Sequence, residues 1–419
     1  MATRTGNAAG PLPEGADRVL AKLDDDETVR LACDLIRIPS FTTEETPCAE
    51  WLANYLADQG LEVELQEIEP GRKQTIARLR GRGGGKSIML NGHIDIDPLA
   101  SGWTRDPFDP WIADGKLFGH GVYNMKAGVA ACVMAALAIQ RSGVSIRGDV
   151  VLACVAAELN GGTGTLHAIE HGARTDMAVV AEPYGAYTIL TKHTGSMDVV
   201  VHTLGRATHI SKKEQGVDAI VNMLRAIDAL YAMRFTSTHD ADLPGLPRMN
   251  IGSIIGGRGR DHELRGAYTV SDFCTAYVNV RFNASQSADT VVADIRRTLE
   301  ALAAGDPQFR FEIEFPPRRE RGLGRMAKAA VDVPKTEPVV QIVRRNLQRV
   351  AGRAPEHFGV RLPQSYAGND TTHLWAAGIP CCLYGPGGGY TDYHDVHTYL
   401  DDLSVCARVL ALTALEAVA

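Results

Sequence analysis

Apolar positions recur at helical spacing from residue 17 (Val19, Leu20, Leu23, Val29, Leu31, Leu35) and stop before Pro39. That pattern predicts one helix over about 17–38. A second amphipathic helix is predicted over 47–59, closed by Gly60. Strand-like runs follow at 61–66, 75–79 and 87–90, and the last feeds into Asn91-Gly92-His93-Ile94-Asp95. Residues 126–142 are Ala-rich and helical in pattern. Residues 149–156 form a continuous apolar run, as a strand covered on both faces does. That run leads to Glu158, and a shorter one at 177–180 leads to Glu182. Strand, polar loop and helix in repetition predict an α/β sheet with its chemistry at the strand C-terminal ends.

The pattern changes after Gly195. Residues 196–204 alternate with period two, 219–233 are helical, and 250–255 and 276–282 read as strands. A helix at 288–303 and an alternating run at 309–315 complete a βαββαβ-like α+β insertion. From about 317 the α/β character returns, with a helix at 338–351 and a strand at 380–384. The expected layout is a lead-in over 1–16 without structure, a discontinuous α/β domain over 17–195 and 317–419, and an inserted domain over 196–316. A chain of 419 residues also favours two domains over one core.

Composition narrows the function classes. Hydrophobic content of 45% with 22% charged residues is that of a globular protein. A net charge of −7 argues against a nucleic-acid footprint. No apolar run is expected to be long enough to span a bilayer. The eight cysteines include no CxxC pair and sit mostly in apolar stretches. They read as buried hydrophobes in a reducing cytoplasm, with a disulfide framework the weaker alternative.

Three segments carry the chemistry: Asn91-Gly92-His93-Ile94-Asp95, then Gly119-His120-Gly121-Val122-Tyr123-Asn124-Met125-Lys126-Ala127-Gly128, then Glu158-Leu159-Asn160-Gly161-Gly162-Thr163-Gly164-Thr165. In this order and spacing the chain resembles the acetylornithine deacetylase, succinyl-diaminopimelate desuccinylase, aminoacylase and carboxypeptidase G family of two-zinc peptidases. The resemblance covers essentially everything after the first fifteen residues. It implies a mixed-sheet zinc-peptidase-like catalytic domain interrupted by a lid and dimerisation domain, hence a homodimer.

The resemblance also assigns residues. His93 and Glu182 would bind one metal, His394 the other, and Asp95 would stand behind them and orient a ligand. Glu158 takes the place of the general base. Two departures fall at the metal centre. The family has a bridging Asp where this chain has Asn124, and a carboxamide offers one neutral oxygen beside an NH₂ that repels cations. The family has a Glu ligand where this chain has Leu159. The family's usual Arg is His120, which is either a compensating group or an ordinary loop histidine. The family's usual Glu near the C-terminal motif is Thr398, with His397 an extra candidate. Stable zinc sites want three or four N, S or charged O ligands. The expectation is one zinc or other divalent ion per chain at most, or none.

Other matches point to substrate contact. His209 would stabilise an oxyanion across a subunit interface. Asn250 and Arg281 would grip a substrate carboxylate. Asn369, Gly387 and Gly388 match a loop whose backbone N–H groups favour an anion. Blander readings are a helix cap for Asn124, a strand-surface cation for Arg281 and plain turns for the glycines. Crowded carboxylates beside the histidines predict that at least one has a raised pKa.

Three functions compete. The first is hydrolysis of an N-acylated amino acid or related small amide-bearing carboxylate, with one metal ion and Glu158 as base. The second is metal-independent isomerisation, elimination, cyclisation or acyl transfer with the same base. The third is binding of a carboxylated ligand without catalysis.

Overall fold

The computed structural model describes residues 10–264, 266–317, 327–391 and 394–419. Residues 1–9 of the expected lead-in, and Tyr393 beside His394, lie outside them. The chain forms two compact units. The first comprises Met1–Lys192, Val331–Ser365 and Asn369–Ala419, the second His193–Ala330 and Tyr366–Gly368. The return to the first unit comes at Val331 rather than at 317. The reason is that Lys328 still pairs with Ser196 through both main-chain hydrogen bonds (2.8 and 2.9 Å).

The first unit is built on an eight-stranded mixed sheet. Its order is Glu62–Glu69, Arg72–Leu79, Val150–Val155, Ile88–His93, Met177–Val180, Cys381–Leu383, Thr188–Leu190, His357–Gly359. Ile88–His93 runs parallel to the strands on either side. All residues of these three central strands are buried, which is why they read as apolar runs without alternation. Against them packs the helix Ala127–Ser142, itself covered by Leu400–Ala417 and Asp25–Ile36. Its small residues let backbones approach. A Cβ on Gly128 would stand 2.2 Å from the carbonyl oxygen of Ala181, next to Glu182.

Two expectations are corrected. The helix predicted over 17–38 is two, Ala16–Leu20 and Asp25–Ile36. Asp24 caps the second, accepting the N–H of Glu27 at 3.1 Å, and a capping side chain competes with continuation of a helix through it. Secondly, Val122–Ser142 is long and apolar enough to cross a membrane. It is nevertheless a core helix, with 89% of its most apolar window buried in the protein. The eight cysteines are free, in line with their apolar settings in the sequence. Burial pushes the thiols of Cys132, Cys381 and Cys406 well up, so they behave as hydrophobes.

The second unit follows the βαββαβ order: Gly195–Leu204, Ala219–Ala232, Arg248–Gly257, Phe273–Phe282, Ala288–Gly305, Arg310–Glu314. Its four strands form one antiparallel sheet. Met197, Val199, Val201, Val278 and Val280 point to one face and build a separate core with Met223, Leu230, Ile295 and Leu299.

One buried ion pair underlies the region after the strand Val150–Val155. Arg72 donates Nε and Nη2 to the carboxylate of Glu45 (2.8 and 2.5 Å), both side chains being buried. Arg72→Met strands that carboxylate without its partner. The expected cost is about 3–5 kcal/mol of unfolding free energy, measured by denaturant titration. A loss below about 1 kcal/mol would show that the pair is dispensable.

Candidate active site

Strand register brings the site together. His93 lies opposite Val155, and Asn91 lies opposite Val180, on the two neighbouring parallel strands. Three residues beyond Val155 is Glu158, and two beyond Val180 is Glu182. All three side chains are buried, and their ligand atoms lie within 4.8 Å of one another. Among the described residues this is the group able to hold a metal ion.

Asp95 ties the trio together. It is fully buried, and its Oδ1 accepts the N–H of Glu158 (3.1 Å) and its Oδ2 that of Leu159 (3.0 Å). Its Oδ1 also lies 3.5 Å from His93 Nδ1, while that nitrogen donates to the Asp95 carbonyl oxygen at 2.9 Å. Burial would raise the Asp95 carboxyl, but His93 and the two N–H donors override it and hold it below the usual range. The raised carboxyl expected of this cluster therefore does not fall on Asp95. Burial would likewise lower His93. The bond and charge of Asp95, with Glu158 and Glu182 behind, more than offset that and raise the imidazole well above its ordinary value.

The turn bearing Glu158 is held residue by residue. Gln74 Oε1 accepts the N–H of Ala156 and Glu45 Oε1 that of Ala157, both at 3.3 Å. Farther along, His373 Nε2 meets the carbonyl of Gly161 at 2.7 Å. Four consecutive main-chain N–H groups thus end on buried side chains from other segments. None of these anchors is legible in the motif itself.

The metal-side departures have distinct fates. Asn124 Oδ1 faces His93 Nε2 at 3.2 Å. It does not cap the following helix: the N-cap is Lys126, two residues farther on, and the Asn124 oxygen is turned to His93. Lys126 is buried and donates Nζ to the carbonyls of Leu35 and Ile38 (2.8 and 2.7 Å), tying this loop to the end of Asp25–Ile36. Leu159 lends the site its N–H and no ligand atom. His120 is outside the trio, packed edge-on to Trp103 and Phe108, with Nε2 on the Asp97 carbonyl (2.8 Å). Burial lowers its basicity. His394 and His397 are outside it too. A Cβ on Gly102 would come within 2.9 Å of the His394 ring, and His397 packs on Phe118. His394, the one second-metal ligand that the family pattern leaves, is not in the group formed by His93, Glu158 and Glu182.

The glycine loop is arranged differently from expectation. Gly387 donates its N–H to Asp402 Oδ2 (2.8 Å), and its carbonyl accepts from Thr398 Oγ1 (2.8 Å). Thr398 is therefore a brace where the family pattern has a carboxylate. Gly388 sits in a strand ladder opposite Thr398, where a Cβ would strike the His397 carbonyl at 2.1 Å. Asn369 Oδ1 is taken by the N–H and hydroxyl of Thr371 (3.0 and 2.6 Å). The Gly387 N–H is therefore not spare for an anion.

His209, Asn250 and Arg281 belong to the second unit. His209 Nδ1 accepts the N–H of Ser211 at 3.2 Å, which leaves the proton on Nε2. Asn250 pairs with Asn279, two residues from Arg281 on the same strand, and Arg281 Nε donates to Asn279 Oδ1 at 3.0 Å. Asn250 and Arg281 therefore share the sheet face opposite that unit's core.

His93 and Glu182 offer a divalent cation an imidazole nitrogen and a carboxylate where water is scarce, with the Glu158 carboxylate close beside them. A second ion has no such set among the described residues.

Comparison with known proteins agrees with this frame. The chain is 26% identical to the N-formyl-4-amino-5-aminomethyl-2-methylpyrimidine deformylase of Bacillus subtilis, over 91% of each chain. It is 31% identical to the succinyl-diaminopimelate desuccinylase of Methylobacterium radiotolerans, over 69% of this chain and 75% of that one. Its fold matches an M20 family metallo-carboxypeptidase from Sulfolobus solfataricus with a TM-score of 0.74 at 16% identity, over 95% of this chain and all of that one. The model of Peptidase family M20/M25/M40 matches residues 89–416, and the chain belongs to that family.

Proposed function

We propose that the protein hydrolyses the amide bond of a small N-acylated, carboxylate-bearing amine, using one divalent cation. The observation that carries this reading is the buried trio His93, Glu158 and Glu182. The named relatives support the same class, since a deformylase and a desuccinylase both remove an acyl group from nitrogen.

His93 and Glu182 would hold the ion. When bound, it supplies charge that polarises a carbonyl and acidifies water. Glu158 accepts the proton of the attacking water and returns it to the departing amine. Asp95 fixes the ring of His93 and the main chain of Glu158 at once, so base and ligand keep their separation. Asn124 adds a neutral oxygen beside His93 and no charge. His209, protonated on Nε2, suits a donor to the oxyanion.

The proposal extends to a homodimer. Arg248–Gly257 is an edge strand, and Ile254 on it is 48% exposed. The adjoining helix Ala219–Ala232 leaves Val221, Leu224 and Tyr231 at 50%, 55% and 57% exposure. An open edge beside apolar side chains is a pairing surface, and a second copy with two-fold symmetry covers it. Leu224→Asp with Tyr231→Asp should yield a monomer by light scattering. A monomeric parent protein at high concentration would overturn this assembly.

Two measurements test the centre. Elemental analysis after dialysis should find no more than one transition-metal ion per chain, and Asn124→Asp with Leu159→Glu should raise the count toward two. Two tightly held ions in the parent protein would sink the single-ion reading. Glu158→Gln should lower kcat about 10²–10⁴-fold with substrate affinity largely kept. Full turnover by that variant would remove Glu158 from the role of base.

A further inference from the structure

The first unit encloses a cleft of about 250 Å³. Tyr123, Tyr184, Tyr187, Tyr399, Arg361 and Asp402 are among its walls. Tyr184 follows Glu182 by two residues and Tyr123 precedes Asn124 by one. The cleft therefore shares its walls with the segments that carry Glu182 and Asn124. Its volume is below the roughly 300–1,000 Å³ of a pocket for a whole ligand, so it suits one end of a substrate.

Arg361 decides which end. Its Nη1 donates to the carbonyl of Tyr184 and to Thr188 Oγ1 (3.3 Å), both neutral. It makes no ion pair with a described residue. The two acids in the wall are otherwise engaged. Glu356 pairs with Arg353 at 2.7 Å. Asp402 Oδ2 accepts the N–H groups of Ala186 (3.0 Å) and Gly387 (2.8 Å). The wall is also kept bare around the guanidinium. A Cβ on Gly185 would lie 3.2 Å from Arg361 Nη1, and one on Gly387 would lie 2.4 Å from Asp402 Oδ2. Burial, with the charges of Tyr390 and Glu182 nearby, pushes the Tyr123 phenol up to about 12, so that ring stays neutral beside the cation.

A half-buried guanidinium that no described carboxylate contacts, with Asp402 as the nearby acid of the same wall, has room for an anion, and its planar fork matches a carboxylate. We infer that this cleft is a carboxylate subsite, in which Arg361 binds the acid group of the substrate while the tyrosine rings flank its stem. This rests on the reading of the neighbouring trio as the hydrolytic centre. It places the acid group on the catalytic unit's own arginine rather than on Arg281.

Binding separates the two ideas. Glutarate, glutaramide and inorganic phosphate are titrated by calorimetry into the full chain, into Glu158→Gln and into Arg361→Gln. Glutarate should bind the parent and Glu158→Gln alike, and Arg361→Gln about 10–100-fold more weakly. Glutaramide should bind all three equally poorly. Phosphate binding tighter than glutarate would overturn the carboxylate assignment, and so would equal glutarate affinity in the parent and Arg361→Gln. Kinetics supply the second arm. Between an N-acyl amino acid and its C-terminal amide, the parent's preference for the acid should vanish in Arg361→Gln through KM, with kcat within about threefold. Arg361→Lys should restore part of it. Equal losses on acid and amide would mark Arg361 as structural and reject the subsite. If no amide is cleaved by the parent at all, the hydrolytic reading fails while the glutarate comparison still decides the subsite.

Discussion

The site depends on one buried carboxylate that serves two segments at once. Asp95 accepts the N–H groups of Glu158 and Leu159 and faces the ring of His93. A charge without access to water must be satisfied by fixed donors, and here those donors are the backbone of the base and the imidazole of a ligand. Removing Asp95 would therefore release Glu158 and His93 together. Glu45 repeats the device one residue earlier, accepting from Ala157 while Arg72 neutralises it. The turn that presents Glu158 is consequently rigid without any regular secondary structure of its own.

Around this anchor, sheet register does the aiming. Three parallel strands end level, so side chains from residues far apart in sequence converge within 4.8 Å. The close packing of Gly128 on Ala181 keeps the helix Ala127–Ser142 against the segment leading to Glu182. The substitutions at 124 and 159 change the charge of this assembly and leave its frame intact. Asn124 takes up a contact with His93, and Leu159 still gives its N–H to Asp95. Neither Asn124 nor Leu159 brings a negative charge to the site. Among the described residues one group of candidate metal ligands is gathered, that of His93, Glu158 and Glu182.

Much of the fold was legible in the chain. Buried parallel strands read as continuous apolar runs at 149–156 and 177–180, and the insertion announced itself by a change to period two after Gly195. The helix over 17–38 misled because Asp24 looks like any exposed acid until its carboxylate is seen on the Glu27 N–H. The candidate residues His93, Glu158 and Glu182 were also readable, since each follows a strand and sits in a recognisable motif. Arg361 was not. It lies in no motif, and its lack of an acidic partner exists only once Glu356 and Asp402 have been seen engaged elsewhere.

By itself the sequence determined the element types and the family, and it puts Asn124 and Leu159 where the family resemblance implies carboxylates. These follow from local periodicity and residue chemistry, which survive in a linear string. Only the tertiary structure decided that Asn124 meets His93 instead of capping a helix. It alone decided that His120, His394 and His397 stand outside the trio, and that the Gly387 N–H is spent on Asp402. Those outcomes depend on which donors and acceptors, set apart along the chain, become neighbours when the sheet closes, and burial leaves each polar group only the partners that packing brings to it.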